Sequence, residues 1–421
     1  MPSSQHILMG KYAYDSLPAW EQNFWKGQRE KIAKNSLAPD QYYANKAKLA
    51  QYCIMPNGVV IPHGPTDKDW GTLPFVHSCC LENHRYVIEY YLGKLVETIS
   101  AGDSSESAMF AAVFGHFLQD SSQPAHLVHN DLLYTLVPRP EEQYRHLHRD
   151  LDDADPDEYI LKQIKPRLLG RTISEAAFHL RIEYETMIQR ALTQLVPMIS
   201  AAYTGDKKAM SRSITQLYKT ATFLTASAWH TAHCIAKQKF DKGNLDKLQV
   251  VRLNKVPYSH GFTLDPYGFH PLLDCACDGK GNIIPLTLKV KGENGCEKTA
   301  TFINGIAMTW GNVEYDIPRG IYNEFQVKIG LLSSVPEQSK AIFKVILDGK
   351  PVVYEEAMAT ILDYGGPIVF DSEVITGRDT ARDIVIPLGK AAKITLITEC
   401  PEENTHALWV EPVLVKEKHY D

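Results

Sequence analysis

Apolar residues recur every three or four positions over residues 1–240, which is the period of an amphipathic α-helix. The segment LENHRYVIEYYLGKLVETIS has this period and stops at Ala-Gly-Asp. The pattern returns in SAMFAAVFGHFLQD and in two longer stretches, ISEAAFHLRIEYETMIQRALTQLVPMISAAY and KKAMSRSITQLYKTATFLTASAWHTAHCIAKQKF, which Thr-Gly-Asp separates. We therefore predict an all-α domain over residues 1–240.

The period changes to two after Leu248. Phe325, Val327, Ile329 and Leu331 alternate with polar or small residues. The segment AIFKVILDGKPVVY predicts two strands joined at Asp348-Gly349, a typical hairpin signal. Short strands separated by turn residues, continued in RDIVIPLG and AKITLIT, predict a β-sandwich of jelly-roll type over residues 256–421. We assign residues 241–255 as a linker, and the Gly-, Pro- and Asp-rich stretch 254–282 as a linker or an irregular lead-in to the sandwich.

Composition agrees with two soluble domains. A chain of 421 residues exceeds the usual size of one core. With 44 Lys+Arg against 50 Asp+Glu, the formal charge of −6 argues against a broad basic face for duplex nucleic acid. No apolar run predicts a transmembrane segment and no signal peptide is visible, so we expect a cytoplasmic protein as numbered, or a secreted one if a signal segment has been removed. The eight cysteines are expected to be mainly free thiols.

Histidine is concentrated in the helical part, where 12 of the 16 lie at or before His233. The segment GHFLQDSSQPAH places His116 and Asp120 on one face of a predicted helix, and His126 follows a Pro-containing break. The flanking residues are almost all apolar, so the pair projects from a buried helix. An imidazole and a carboxylate placed there either satisfy each other in the core or bind a divalent cation.

A second pair has the same spacing in HLHRDLD, in two alternative registers. We favour His148 with Asp152 over His146 with Asp150, because Leu147 and Leu151 flank the former pair. The alternative interpretation is an exposed, charged helix start. Upstream lie His6, Asp40 and His63. Taken one at a time, each would be assigned as an ordinary surface or loop residue.

In this order, these segments resemble the zinc-dependent phospholipase C and S1/P1 nuclease superfamily over residues 5–240. GHFLQDSSQPAH is similar to the most specific signature of that family: Gly-His, an Asp four residues later, Gln-Pro, then His. SQHILMGKYAYDSLP is similar to its first helix, APD to its first acidic ligand, and PHGPTDKDWGTLPF to its His-containing loop. The resemblance implies an all-α catalytic domain that hydrolyses phosphodiesters.

The resemblance also implies the metal ligands. One zinc ion would be bound by Asp40, His63, His116 and Asp120, and a second by His126, His148 and Asp152. A third would be bridged by Asp120 and bound by His6, completed in many members by an N-terminal Trp. Here Met-Pro-Ser-Ser-Gln precedes His6, which leaves the third ion open. Asp40 would have the catalytic role of orienting or deprotonating the attacking water. Zinc prefers these imidazole and carboxylate donors.

The β region resembles the NPCBM class of jelly-roll modules over residues 255–416. The segments that carry the likeness are GNVEYDIPRGIYNEFQVKIGL, FKVILDGKPVVY, DIVIPLGKAAKITLIT and ALWVEP. The resemblance implies carbohydrate as a partner. Trp310 and Trp409 are candidate stacking faces for a sugar, although a Trp in a sandwich more often belongs to the core.

Together these observations predict a zinc-dependent phosphodiesterase of phospholipase C type, acting on a phospholipid or glycan-linked substrate. The alternatives are an S1/P1-like single-strand nuclease, and a non-catalytic glycan-binding protein with structural zinc. The net charge and the lack of basic, aromatic-interleaved stretches weigh against the nuclease, because strand binding depends on phosphate neutralisation and stacking.

Overall fold

The computed structural model describes residues 3–53, 84–128, 130–140, 146–263, 270–278, 280–351, 364–400 and 406–416. The chain divides into two compact units, Met1–Leu245 and Asp246–Asp421. The first unit is helical, and the second is built from antiparallel strands in two main sheets. The predicted fold class, an all-α domain followed by a β-sandwich, is confirmed.

The described part of the first unit consists of helices and the turns and irregular segments between them. The helices are α1 Ser3–Asp15, α2 Ala19–Phe24, α3 Arg29–Asn35, α4 Ala38–Gln41, α5 Lys46–Cys53, α6 His84–Ser100, α7 Ser104–Asp120, α8 Asn130–Thr135, α9 Leu147–Asp152, α10 Glu158–Leu161, α11 Ile173–Thr204, α12 Lys207–Lys237 and α13 Lys242–Asp246. Turns of 3₁₀ helix lie at Tyr42–Ala44 and Pro124–His126. Within the described ranges, no helix has the length and apolar character needed to cross a bilayer.

Local capping explains where the long helices begin and end. Asp103 starts α7 by accepting hydrogen bonds from the backbone amides of Ser105 (3.0 Å) and Glu106 (2.9 Å). The predicted Thr-Gly-Asp break is the turn between α11 and α12. Gly205 ends α11 with a φ of 70°, a left-handed conformation that costs glycine little. Asp206 then caps α12 by accepting from the amide of Ala209 at 2.9 Å.

Helix α7 lies at the centre of the helical unit and is buried from Ser107 to Asp120. It packs against α12, where the indole of Trp229 donates to the carbonyl of Ala111 at 3.1 Å. A Cβ at Gly115 would lie 3.2 Å from the Trp229 ring, so glycine is what lets the two helices approach this closely. The apolar surroundings hold α7 in one orientation, which fixes the directions of its few polar side chains.

The second unit is built from short strands. They are β1 Val250–Arg252, β2 His260–Thr263, β3 Leu272–Leu273, β4 Ala276–Cys277, β5 Ile283–Ile284, β6 Leu286–Lys291, β7 Glu297–Phe302, β8 Gly305–Met308, β9 Gly311–Asp316, β10 Glu324–Leu331, β11 Lys340–Leu347, β12 Lys350–Pro351, β13 Tyr364–Gly365, β14 Ile368–Thr376, β15 Arg382–Pro387, β16 Lys393–Glu399 and β17 Ala407–Val415.

Two antiparallel sheets form the sandwich. One has the order β15-β10-β17-β8-β3 with β1 also paired to β17, and the other has the order β14-β11-β16-β9-β2. Along β10, Phe325, Val327, Ile329 and Leu331 are buried, as their alternation predicts. Trp409 of β17 is fully buried and donates to Thr398 Oγ1 of β16 at 3.0 Å, so the core lies between the two sheets.

The hairpin predicted at Asp348-Gly349 is wrong for the residues that the structure describes; residues 352–354 of the predicted second strand lie outside them. Strand β11 already has β14 and β16 on its two edges, so the next strand has no edge to pair with. Strand β12 pairs instead with β13. Asp348 has a φ of 51°, and its carboxylate accepts from the amides of Ala392 (2.7 Å) and Lys393 (3.0 Å). The turn residues at this position therefore anchor a distant loop and do not reverse the chain.

The segment around residues 241–282 contains more regular structure than its composition predicts. Helix α13 lies inside the predicted linker 241–255, and β1 in the same stretch pairs with the end of β17. Further on, β2 pairs with β9 and β3 pairs with β8. This segment therefore contributes strands to both sheets.

Candidate metal centre

The site begins with two residues one helical turn apart on α7, His116 and Asp120. His116 is fully buried, and its Nδ1 lies 2.7 Å from the carbonyl oxygen of Ser36. A carbonyl only accepts hydrogen bonds, so Nδ1 carries the proton and Nε2 has the lone pair. That Nε2 lies 3.8 Å from Oδ1 of Asp40 on α4. His116 thus directs a nitrogen that could bind a metal towards a carboxylate.

His6 of α1 joins the same cluster. Its Nδ1 lies 3.0 Å from Gln119 Oε1, and its Nε2 lies 3.6 Å from Asp120 Oδ1. The imidazoles of His6 and His116 stack with centroids 4.1 Å apart. One donor atom each from His6, His116 and Asp120 lies within 4.8 Å of the others. Histidines that bind metals usually have the second ring nitrogen held by an oxygen in this manner.

A second cluster forms where the 3₁₀ turn after α7 meets α9. Nε2 of His126 lies 3.2 Å from Asp152 Oδ1, and Nε2 of His148 lies 3.4 Å from Asp152 Oδ2. The two imidazoles stack with centroids 5.0 Å apart. The four-residue spacing of His148 and Asp152 places both on the same face of α9. These three side chains also place donor atoms within 4.8 Å of one another.

Asp120 links the two clusters, because its Oδ1 lies 2.8 Å from Nδ1 of His126. Burial lowers the pKa of His126, but the Asp120 and Asp152 carboxylates outweigh burial and raise it to about 9. Burial raises the pKa of Asp152, yet the hydrogen bond and charge of His126 bring it below its ordinary value. Burial lowers the pKa of His148. The buried carboxylates thus favour a cation between them, either a proton on His126 or a metal ion.

The donor set fits zinc. Each cluster supplies imidazole nitrogens and a carboxylate oxygen, which, together with cysteine sulfur, are the usual protein ligands of Zn²⁺. Three protein donors leave a fourth tetrahedral position for water, as in catalytic zinc sites. The Asp40 side chain is 40% exposed, so solvent reaches the edge of the first cluster.

The structure brings most of the predicted site residues together. His6, Asp40, His116 and Asp120 converge in one cluster, and the second contains His126, His148 and Asp152. His63 lies outside the described residues. That these side chains bind zinc remains a prediction.

The structure also distinguishes the two registers on α9. Nδ1 of His146 accepts a hydrogen bond from the backbone amide of Arg149 at 3.4 Å, so His146 caps the helix. Asp150 lines a separate cleft together with Asp153 and Asp155. The pair that lies beside His126 is His148 with Asp152, the register that the flanking leucines favour.

Sequence reasoning missed the residues that orient the candidate ligands. The Ser36 carbonyl that holds His116 has no signal in the sequence, because any residue supplies a carbonyl. Gln119 holds His6, and Gln123 donates to the carbonyl of Leu151 (3.0 Å) and to the hydroxyl of Tyr218 (3.3 Å). Both glutamines are fully buried. A polar residue in an otherwise apolar segment of sequence indicates a buried hydrogen bond, and this was the signal that could have identified them.

The two candidate tryptophans of the second unit differ in exposure. Trp409 is fully buried, whereas Trp310 is 40% exposed. Trp310 lines a cleft of about 230 Å³ with Lys340, Ile342 and Glu399. The walls of this cleft are mainly apolar, and the Glu399 carboxylate is paired with Lys344 at 2.6 Å. The exposed indole therefore offers a flat apolar face to a ligand.

Residues 280–415 match the model of the NPCBM/NEW2 domain family. The predicted resemblance to NPCBM modules is confirmed for this range, in which strands β5 to β17 lie. A search of the curated proteins finds no match for the chain.

Solved structures with similar folds include modules of the CBM51 class. The CBM51 module of Clostridium perfringens GH95 in complex with methyl-galactose is 21% identical, covers 39% of this chain and 99% of its own, and has a TM-score of 0.30. The tandem CBM51 modules of Sp3GH98 from Streptococcus pneumoniae are 18% identical over 41% of this chain and 48% of theirs, with a TM-score of 0.32. The alpha-toxin of Clostridium perfringens is 8% identical over 96% of this chain and 82% of its own, with a TM-score of 0.34.

Proposed function

We propose that the helical unit is a zinc-dependent phosphodiester hydrolase of phospholipase C type. The observation that carries the proposal is the pair of His/Asp clusters joined at Asp120, in which buried imidazoles are oriented by protein oxygens. A His–Asp pair that only formed a hydrogen bond in the core would not require further buried imidazoles and carboxylates around it, because each such group costs free energy to bury. The resemblance of the sequence segments given above, in their order along the chain, to the phospholipase C and S1/P1 nuclease superfamily supports the same proposal.

The residues divide into metal-holding and proton-handling roles. Asp40, His116 and Asp120 would hold one ion with His63; His126, His148 and Asp152 would hold a second, and His6 with Asp120 a third. Zinc ions at such a site supply a water of lowered pKa and neutralise the charge of the phosphate. Asp40 is the exposed carboxylate of the site, so we assign it the role of orienting that water and accepting its proton.

Hydrogen bonds fix the position of the second cluster, and the net charge of the whole site favours an anionic substrate. Gln123 and Tyr218 hold the Pro124–His126 turn, so His126 is held in place between Asp120 and Asp152. Two dications would outweigh the three carboxylates of Asp40, Asp120 and Asp152, which gives the site a positive charge. An anionic phosphodiester is therefore favoured over a neutral ester.

The test is metal content together with hydrolysis by the full chain. We expect at least two zinc ions per chain by elemental analysis, and hydrolysis of bis-p-nitrophenyl phosphate that a chelator abolishes and zinc restores. Removing a metal ligand through His116→Ala should cost at least about 100-fold in activity, because loss of even an orienting partner costs 10–100-fold. His270→Ala, an exposed histidine of the other unit, is the control and should leave activity unchanged.

The choice of substrate separates the phospholipase from its alternatives. Phosphatidylcholine vesicles and a phosphatidylinositol-glycan lipid should be cleaved faster than single-stranded DNA. Faster cleavage of DNA would favour the S1/P1-like nuclease. A chain that holds two or more zinc ions but hydrolyses none of these substrates would refute the enzyme proposal and favour a glycan-binding protein with structural zinc.

We also propose that the NPCBM/NEW2 domain binds carbohydrate at the Trp310 cleft. The family match and the exposed indole beside Lys340 and Glu399 support this assignment. Titration calorimetry with methyl-galactose, the ligand of the Clostridium module, and with N-acetylglucosamine tests it. Trp310→Ala should weaken binding at least about tenfold, which is about 1.4 kcal/mol. Ile303→Ala, at an apolar residue that is 77% exposed, is the matched control. Unchanged binding by Trp310→Ala would exclude this cleft as the site.

A further inference from the structure

A third group of metal-ligating side chains lies away from the two clusters. His230 and Cys234 occupy one face of α12, one turn apart, and Glu21 of α2 faces them. Oε1 of Glu21 lies 2.6 Å from Nδ1 of His230. Sγ of Cys234 lies 3.9 Å from the same nitrogen and 3.7 Å from Nε2. None of the three residues belongs to the clusters around Asp120.

An ion pair between Glu21 and His230 does not account for the whole arrangement. Glu21 is fully buried, and its Oε2 has no hydrogen-bond partner among the described residues. Leaving a buried carboxylate oxygen without a partner costs free energy, and burial accordingly raises the pKa of Glu21. Cys234 is only 4% exposed and directs its sulfur at the same imidazole. A cation bound by all three groups would satisfy the carboxylate.

The spacing of the donor atoms suits a small tetrahedral ion. Metal–ligand bonds of about 2.0–2.3 Å at tetrahedral angles require donor atoms to be about 3.3–3.8 Å apart. The distance of 3.9 Å from Sγ of Cys234 to Nδ1 of His230 is close to this range. The Glu21–His230 contact of 2.6 Å is a hydrogen bond that must open by about 0.7 Å when the proton is replaced by an ion.

We propose that Glu21, His230 and Cys234 bind one thiophilic divalent cation, of which Zn²⁺ is the physiological candidate. The ion would take one donor atom from each side chain, with Nδ1 as the His230 donor, and would leave a fourth position for water. The site joins the short helix α2 to the C-terminal part of α12. It offers a cysteine sulfur, whereas the clusters around Asp120 offer only imidazoles and carboxylates among the described residues.

Aromatic side chains surround the site on the α2 side, and the His230 side chain is 12% exposed. His233, on the same helix, is fully buried with its ring edge-on to Trp25 at 4.5 Å and to Phe24 at 5.3 Å. Burial lowers the pKa of His233 to about 3. Lys239 lies over the ring of Trp20 at 4.4 Å. A low-dielectric wall of this kind strengthens the attraction between a carboxylate, a thiolate and a dication.

Cobalt substitution of the full chain tests this proposal, because Co²⁺ bound to a thiolate has a charge-transfer absorption that histidine and carboxylate sites lack. The chain is stripped with a chelator and titrated with Co²⁺ while the near-ultraviolet spectrum is recorded. We expect the amplitude of the thiolate band to correspond to one thiolate-bound Co²⁺ per chain, because Co²⁺ bound at the clusters around Asp120 does not contribute to it. The band should disappear in Cys234→Ser. Cys53→Ser is the matched control: Cys53 is also buried in the helical unit, and burial raises the pKa of its thiol to about 12, so the band should persist.

Each outcome decides the proposal. A wild-type chain without a thiolate band, or a band that survives in Cys234→Ser, overturns it. If circular dichroism shows that Cys234→Ser does not fold, Cys234→Ala replaces it, since alanine is well tolerated in a helix. Hydrolysis of bis-p-nitrophenyl phosphate by a folded Cys234 variant should equal that of the wild type, so failure here and failure of the proposed phosphodiesterase are separate results.

Discussion

Asp152→Asn is the substitution that tests the candidate metal centre most directly. The change keeps the size of the side chain and removes its charge. Asp152 lies between two imidazoles, with Oδ1 3.2 Å from His126 and Oδ2 3.4 Å from His148. Its side chain is 14% exposed, so solvent replaces little of the lost interaction.

The expected magnitude follows from the number of donors. The second cluster has three, and Asp152 is the only carboxylate among those three. Loss of a group that merely orients a ligand weakens metal binding 10–100-fold, or about 1.4–2.8 kcal/mol. Loss of a direct, charged donor should exceed this, so we expect zinc affinity at the second cluster to fall by more than about 100-fold.

The assay is competition between the full chain and a chromogenic zinc chelator, with total bound zinc as a second measurement. Asp150→Asn is the matched control, because it makes the same chemical change on the same helix at a residue that lines a different cleft. It should leave zinc affinity within about threefold of the wild type, as expected for a surface substitution of up to about 0.5 kcal/mol. Weaker binding in Asp150→Asn with normal binding in Asp152→Asn would refute the assignment and restore the other register.

Three further predictions concern stability. Stripping zinc with a chelator should lower the calorimetric Tm of the helical unit while the far-ultraviolet circular dichroism stays native. Free zinc at 100 times its Kd adds about 2.7 kcal/mol to the free energy of unfolding, which the chelator removes. Loss of helicity on stripping would contradict this prediction. Trp409→Phe removes the 3.0 Å hydrogen bond to Thr398 and part of a buried ring, so denaturant unfolding should show a loss of about 1–3 kcal/mol, against less than about 0.5 kcal/mol for Trp310→Phe. Gly311→Ala would place a Cβ 2.1 Å from the carbonyl oxygen of Phe262, so it should lower the free energy of unfolding by more than about 2 kcal/mol in the same assay. At Gly93 of α6 a Cβ meets nothing within 4 Å, so Gly93→Ala should raise the stability by up to about 1 kcal/mol. Equal effects of the two substitutions would contradict the close contact between Gly311 and Phe262.

The hydrophobic period predicted the architecture well because burial of one face determines both helices and strands. The four-residue spacings of His116 with Asp120 and of His148 with Asp152 also followed from the sequence, since helical geometry alone places them together. The turn at Asp348 could not be interpreted in the same way. A left-handed Asp-Gly position is equally useful in a hairpin and in a loop that binds distant amides, and only strand order distinguishes them.

Contacts between distant parts of the chain explain the rest of what the sequence did not reveal. The four-residue spacing of His230 and Cys234 is visible on a helical pattern, but Glu21 lies 209 residues away from His230. The Ser36 carbonyl is 80 residues from His116 and has no side-chain signature. Such partners follow from how helices pack, which local periodicity does not specify.

The burial of α7 from Ser107 to Asp120 has a consequence for the order of assembly. Small zinc domains fold only when the ion arrives, because their ligands have no packed scaffold to hold them. Here His116 and Asp120 are set by the core itself. If they bind zinc as proposed, the polypeptide would acquire its shape first and the ion would be loaded last. Zinc uptake should then hide little apolar surface, and its heat-capacity change should be close to zero.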